Sequence, residues 1–199
     1  MKKNVILMVC LFAANILTAQ NETRRDYVMV GSLEIYKKNG NPEQIQKVKI
    51  DKLSDKFYLE KVVGEEYKKS QKSDLPIDAP VKNNRIRDKI DLPGLELVLP
   101  DHETGLVDFH LKTPNFHIIL DNGKEIYVGM SAEEIALIFP ISFSQKAEIR
   151  SKNSQGSYTM AIDFASIIEG KLTIWDRWLE IVINKSSMKV EEIFTVEPD

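Results

Sequence analysis

The stretch "YVGMSAEEIALIFP", residues 127–140, decides the fold prediction for this chain. Ser131 is followed three residues later by Glu134, which is the spacing of a capping box. In that motif the serine hydroxyl accepts from the Glu134 amide while the carboxylate accepts from the serine amide. Met130, just before the cap, can pack on Ile135 as a hydrophobic staple. The stretch therefore predicts a strand followed by a short, well-capped helix.

Two features of this helix are its pair of glutamates and the proline that follows it. Glu133 and Glu134 could be a pair of catalytic carboxylates, but both lie in the first helical turn, where the helix dipole favours negative charge. Capping therefore accounts for them without chemistry. Because proline restricts the residue before it, Pro140 is expected to end the helix. The following "IFPISFSQK" is expected to leave little room for a second helix.

Strand-like runs lie on both sides of the helix. Upstream, Asn122-Gly123 between two apolar runs predicts a hairpin. Downstream lie the runs "KAEIR", "SYTMAIDF", "KLTIW", "RWLEIVIN" and "KVEEIFTV", which we interpret as a meander of about four antiparallel strands. The predicted fold class is α+β: an antiparallel C-terminal meander packed with one short helix, plus a β-rich N-terminal extension.

The N-terminus predicts export. Residues 1–19 combine Lys2 and Lys3 with an apolar run and the small residues of "LTA", which is the layout of a secretory signal peptide cut after Ala19. The apolar run is shorter than the roughly 20 residues of a membrane span. Cys10 lies inside that run and is therefore not expected to carry a lipid. We expect a periplasmic or extracellular protein with no stable membrane span after processing.

Three further segments follow the leader. Residues 20–67 are predicted to be β-rich, including "DKFYLEKVV" as a possible strand, and residues 95–199 are predicted to form the α+β domain. Residues 68–94 contain three prolines, with seven Lys and Arg against four Asp. We interpret them as a linker or long loop, with a basic arm that contacts an acidic partner as the alternative.

The helix phrase and the predicted meander resemble small envelope domains of the BamE/SmpA and β-lactamase-inhibitory-protein kind, over about residues 115–197. The residues that carry this resemblance are Gly129, Met130, Ser131, Glu133, Glu134, Ile135 and Pro140. The resemblance implies an envelope setting and a helix-and-sheet fold.

Composition excludes several kinds of site. Removal of the leader takes away the one cysteine, and with it any disulfide, thiol nucleophile or cysteine metal site. It also changes the formal charge from −3 to −5, because Lys2 and Lys3 are lost. Such an acidic chain is a poor nucleic-acid binder. The sequence has no phosphate-binding glycine loop and no Gly-x-Ser-x-Gly motif. We therefore expect no cofactor and no metal.

Two groups of residues remain candidates for a site. Trp175, Asp176, Arg177 and Trp178 occur at a predicted strand bend. Exposed, they would form the aromatic and arginine patch that is typical of binding hot spots; buried, the rings would fill the core. His110 and His117 would face each other if Thr113-Pro114 made a tight turn, and Asp108 or Glu103 could complete a zinc site. Two ordinary histidines on a polar strand face are the alternative.

The leading functional prediction is a non-enzymatic, exported envelope protein that binds an unidentified envelope protein or takes part in assembly. A small hydrolase or metal-dependent enzyme that uses His110 and His117 is the first alternative. A carbohydrate-binding or adhesive module that uses Trp175 or Trp178 is the second.

Overall fold

The computed structural model describes residues 25–38, 46–53, 55–63, 89–98, 107–148 and 156–197. Within these residues the chain is a sheet-rich α+β fold with two sheets. The strands of the larger sheet are β1 (Tyr27–Met29), β4 (Lys89–Leu92), β5 (Leu95–Val98), β6 (Asp108–Leu111), β9 (Ala147–Glu148), β10 (Ser157–Ile168), β11 (Lys171–Asn184) and β12 (Lys189–Val196). Those of the smaller sheet are β2 (Glu34–Lys37), β3 (Val48–Lys49), β7 (Phe116–Ile119) and β8 (Glu125–Tyr127).

The larger sheet has the strand order β1-β10-β11-β12-β6-β5-β4, and β9 also pairs with β10. The pairs within the C-terminal meander are antiparallel. The N-terminal segment adds a parallel pair to this sheet, because β1 pairs parallel to β10, with Val28 opposite Phe164. A connection of more than one hundred residues joins these two strands, and such a long connection permits parallel pairing where a tight hairpin does not.

The smaller sheet has the order β3-β2-β7-β8, with antiparallel pairs throughout. One row across it consists of Ile35, Ile118 and Ile126, which are paired directly and fully buried. These side chains belong to the same hydrophobic core as buried side chains of the larger sheet, such as Ile162 and Ile181. Since burial of apolar area is the dominant favourable term in folding, this shared core holds the two sheets together.

The helices correct two predictions. The described residues contain three α-helices rather than one: α1 (Lys56–Val63), α2 (Ala132–Ile138) and α3 (Pro140–Ser144). The run predicted as a strand, 55–63, forms α1, because its buried residues Leu59 and Val62 are three apart, as one face of a helix requires. Pro140 does end α2, but it also begins α3 at the first helical position, where a missing N–H costs nothing.

The capping box of α2 is confirmed. Ser131 is the N-cap, and its Oγ accepts from the Glu134 amide at 3.2 Å while Glu134 Oε2 accepts from the Ser131 amide at 3.0 Å. The serine hydroxyl also donates to Oε2 at 2.7 Å. These hydrogen bonds lower the pKa of the Glu134 carboxyl. Met130 and Ile135, the two residues of the predicted hydrophobic staple, are both buried in the core.

The start of α2 is also fixed to the larger sheet. The amide of Ala132 donates to the Met188 carbonyl at 2.8 Å, and the amide of Val190 donates to the Met130 carbonyl at 2.9 Å. Both bonds join the helix start to the beginning of β12. The backbone therefore ties the capped turn to the last strand of the meander.

Strands from different predicted segments pair with each other. Within 20–67, β1 joins the larger sheet and β2 joins the smaller one. Of 68–94, the described part is residues 89–94, which includes β4; β4 forms a hairpin with β5. Residues 1–19, the predicted signal peptide, lie outside the described residues.

The meander has four strands, β9 to β12, which is the number that the sequence predicts. The runs "KLTIW" and "RWLEIVIN" lie in one fourteen-residue strand, β11. The Asn122-Gly123 hairpin is confirmed and joins β7 to β8. Of these two turn residues, Gly123 takes the positive φ, at 78°, and the Asn122 side chain accepts from the Lys124 amide at 2.9 Å.

Candidate functional site

The β10–β11 hairpin is longer than the strands beside it. On one side, the last β1 pair is Met29 with Ala165, and on the other the last β12 pair is Val196 with Trp178. Beyond those pairs, the described residues place no further strand beside the hairpin. Residues 166–177, which we call the hairpin tip, therefore pair only within the β10–β11 hairpin in the described part of the chain: 166–168 pair with 171–173, and Ile174 pairs with Ala165.

The tip closes through a two-residue turn. Glu169 and Gly170 both have positive φ, 50° and 75°, as in the type I′ turn that suits the twist of paired strands. Gly170 adopts this conformation without the strain that a Cβ would add. The turn sets Ile168 opposite Lys171 and Ile167 opposite Leu172.

The tip carries exposed aliphatic side chains. Ile167, Ile168, Leu172 and Ile174 are between 47% and 59% exposed. Ile167 lies opposite Leu172, and Ala165 lies opposite Ile174. Directly paired residues, and residues two apart on one strand, share a face of a sheet. Ile167, Leu172 and Ile174 therefore share one side, which we call the apolar face.

A β-bulge lies at the base of the tip, at the predicted bend. Asp163 pairs with Trp178 and Ala165 pairs with Ile174, so one residue of β10, Phe164, faces three residues of β11. Such an insertion bends a strand and redirects its side chains. The three residues in the bulge, 175–177, are part of the predicted binding patch.

The structure places the four predicted patch residues in different surroundings. Trp175 packs partly against the core and donates from Nε1 to Ser166 Oγ at 2.8 Å. Trp178 is half-buried, and its Nε1 donates to Glu180 Oε2 at 2.9 Å. Asp176 is exposed.

Arg177 joins the bulge to neighbouring strands. Its guanidinium lies 3.2 Å from Asp108 Oδ1 and 2.7 Å from Glu197 Oε1, and its side chain is 19% exposed. Asp108 belongs to β6, and Glu197 directly follows β12. Arg177 therefore supports the base of the tip, and its replacement would change stability as well as any surface.

An open cleft of about 500 Å³ lies beside the bulge. It is lined by Ile168, Thr173, Ile174, Trp175, Asp176, Arg177 and Glu197. Three of the four predicted patch residues thus contribute to one concavity, and Trp178 is not among its lining residues. Ile167, Ile168 and Leu172 were not among the residues predicted from the sequence. The sequence pattern that could have indicated them is "IIEGKL", in which the turn-forming pair Glu169-Gly170 stands between apolar residues.

The two histidines do not form one site. His110 lies on β6 in the larger sheet, and its Nε2 is 2.9 Å from Glu192 Oε2. His117 lies on β7 in the smaller sheet, because residues 112–115 join strands of different sheets rather than closing a hairpin. Among the described residues, no group of three or more His, Cys, Asp or Glu is placed to hold a metal ion. Glu103 lies outside the described residues.

His117 belongs to a polar cluster instead, in which the imidazole is buried and the Glu125 side chain is 40% exposed. Its Nδ1 is 3.0 Å from Glu125 Oε2, and the Tyr36 hydroxyl donates to the same oxygen at 2.8 Å. An ionised carboxylate can only accept, so Nδ1 carries the proton. The Tyr127 ring stacks on the imidazole at 4.3 Å.

The cluster shifts the acidity of two of its members. Burial, with the hydrogen bond to Glu125, raises the pKa of Tyr36 to about 12. Burial alone would raise the pKa of Glu125, but the hydrogen bonds from His117 and Tyr36 outweigh it and lower that pKa. The cluster thus joins β2, β7 and β8 through one ionised carboxylate.

Comparison of the sequence with protein-family models, with curated proteins and with solved structures finds no match. In the described residues, the helices are too short or too polar to cross a membrane.

Proposed function

We propose that the protein is an exported, non-enzymatic module that binds another envelope protein through the hairpin tip. The observation that carries this proposal is the exposure of four large aliphatic side chains on one extended hairpin. Contiguous exposed apolar groups on a folded protein mark interaction sites more often than isolated ones do.

The chemistry of the tip favours a protein partner. Full burial of an isoleucine or leucine side chain contributes about 1.5–3 kcal/mol, so covering a half-exposed one contributes on the order of 1 kcal/mol. Ile167, Leu172 and Ile174 share one face, and Ile174 also lines the cleft beside the bulge together with Trp175 and Arg177. A partner with an apolar strip would cover that face, with tryptophan and arginine adding contacts of the hot-spot type.

The remainder of the fold would serve as a rigid support. In this proposal the meander β9–β12, with the capped helix α2 packed on one of its faces, holds the hairpin in place. The backbone bonds between the start of α2 and the start of β12 support that role. The leader-like residues 1–19 and the resemblance to BamE/SmpA-like and β-lactamase-inhibitory-protein-like domains support an envelope setting.

The two alternatives have less support in the geometry. An enzyme that uses His110 and His117 would need them in one site, and they lie in different sheets with different carboxylates. A sugar platform that uses both tryptophans would need two exposed rings side by side. Trp175 lines the cleft and Trp178 does not.

A capture experiment with matched variants tests the proposal. Wild-type protein, Leu172→Lys and Leu137→Lys would be used to capture proteins from a detergent extract of the native cell envelope. Leu137 is the control, because it is 77% exposed and lies on α2, away from the tip. Loss of a moderate hot spot weakens binding about tenfold.

The expected result is a protein that wild type and Leu137→Lys both retain and that Leu172→Lys loses. Equal capture by all three proteins would contradict the proposal. Binding of the wild type to protein-free lipid vesicles, with no protein captured, would also contradict the proposal, because the tip would then be a membrane contact.

A further inference from the structure

Among the residues that the structure describes, none forms a strand beside the outer edge of β11 over much of the tip. β12 ends opposite Trp178, whereas β11 begins at Lys171. Residues 171–174 lie beyond the bulge and pair with β10 on one side; on the other side the described residues provide no strand. A free strand edge offers backbone donors and acceptors that another strand can use.

We infer that this edge pairs antiparallel with the same edge of a second copy of the chain, about a two-fold axis at Thr173. The inference deepens the proposed function, because the partner-binding surface would then be built by two copies. It rests on the proposed role of the tip. A two-fold contact is self-complementary, so the sequence of one edge must fit its own reverse.

The residues on this edge fit that register. With Thr173 facing Thr173 of the second copy, Leu172 faces Ile174 and Ile174 faces Leu172. Apolar cross-strand pairs of this kind contribute about 0.2–1 kcal/mol each. Lys171 faces Trp175, so the cation lies opposite an aromatic ring rather than opposite another cation.

The neighbouring registers fit less well. An axis at Ile174 would set Leu172 opposite Asp176, so that an apolar side chain would face a carboxylate. An axis at Leu172 would leave Ile174 opposite Gly170, with no side chain to cover it. Charge and apolar matching therefore select Thr173 as the centre.

Pairing at Thr173 has a consequence for the apolar face. A two-fold axis perpendicular to a sheet keeps each face on its own side, so Leu172 and Ile174 of both copies would meet in the middle of one surface. Four strands would then carry Ile167, Leu172 and Ile174 twice. The partner of the proposed function would contact this joined surface rather than one narrow hairpin.

Disulfide trapping tests the register directly. The chain has one cysteine, so Cys10 is first replaced by serine in the full chain. Thr173→Cys then places one thiol from each copy at the axis, at the Cα separation of about 4.5–5.5 Å found for facing residues, which a disulfide tolerates. Ser187→Cys is the control, because Ser187 is exposed at the opposite end of β11.

The expected result is that mild oxidation links Thr173→Cys into a dimer several-fold faster than Ser187→Cys. Sedimentation should give twice the mass of one chain for the wild type and for Ser187→Lys. It should give the mass of one chain for Thr173→Lys, because two lysines would then face each other at the axis.

Equal cross-linking at the two positions, or a wild type that sediments as one chain, would overturn the inference. These outcomes are separate from failure of the proposed function. If two copies pair but the proposed function is wrong, the wild type sediments at twice the mass of one chain, and Leu172→Lys and Leu137→Lys capture the same proteins. If the copies do not pair, the mass is that of one chain whatever is captured.

Discussion

Ile167 on β10 and Leu172 on β11 lie directly opposite each other, one pair away from the turn, and both side chains are about half exposed. The contact between them stabilises the hairpin in the way that cross-strand apolar pairs do. It leaves their outer surfaces in water, beside Ile174. This pair therefore serves the hairpin itself while still offering apolar area to a partner.

The turn of the hairpin should depend on glycine. Gly170 has φ of 75°, and an added Cβ would meet no atom within 4 Å, so Gly170→Ala tests conformation rather than space. We expect a loss of about 1–2 kcal/mol in the free energy of unfolding, the usual cost of a left-handed residue with a side chain. Gly31→Ala is the control, since Gly31 also has open space but no positive φ. Urea denaturation that shows equal effects for the two variants would contradict this explanation.

The capping box should contribute to stability. Ser131→Ala removes a hydroxyl that accepts from the Glu134 amide, and such a loss costs about 1 kcal/mol. Ser187→Ala removes a hydroxyl from an exposed turn and should change little. Chemical denaturation measures both. If the two variants unfold at the same midpoint, the cap is not important for the fold.

Arg177 and Asp108 should be energetically coupled. Both side chains are less than one-fifth exposed, and their charged atoms are 3.2 Å apart. The double-mutant cycle of Arg177→Ala and Asp108→Ala should give a coupling of about 1 kcal/mol, within the range for contacting residues. Denaturation of the wild type, the two single variants and the double variant supplies the value. A coupling near zero would mean that Arg177 does not fix the base of the tip.

The polar cluster around His117 should make stability depend on pH. The folded pKa of Glu125 lies below its ordinary value of 4.5. Its contribution is therefore present above pH 4.5 and is lost as the pH falls through the folded pKa. Glu125→Gln should be less stable than wild type well above pH 4.5, and the difference should shrink well below it.

Unfolding free energies measured across that range test this linkage. Glu133→Gln, which changes an exposed carboxylate on α2, is the control. A difference between Glu125→Gln and wild type that stays constant with pH would show that the carboxylate is not held in its ionised form by Tyr36 and His117.

Local features of the fold could be predicted from the sequence, whereas long-range pairings could not. The cap at Ser131 depends on residues three apart, and the hairpin at Gly123 on a few neighbours, so both patterns are complete within a short window. The pairing of Val28 with Phe164 spans most of the chain. No local pattern specifies such a partner, because many strand edges offer the same backbone groups.

The candidate site likewise has one feature that the local sequence predicts and one that depends on distant parts of the chain. The sequence indicated the bend at 175–177 because two tryptophans flank a charged pair. It did not indicate the exposure of Ile167 and Leu172, since alternating aliphatic residues are typical of buried strands. Their exposure follows from the lengths of β1 and β12, which end before the tip does, and those lengths depend on distant parts of the chain.

Site-specific photo-cross-linking in the native cell is the most direct measurement of binding by the tip. A photoreactive residue at position 167, on the apolar face, is compared with the same residue at position 137 on α2, where the side chain is 77% exposed. The account predicts an adduct with another envelope protein at position 167 and none at position 137. Equal adducts at the two positions, or none at position 167 while position 137 is linked, would contradict it.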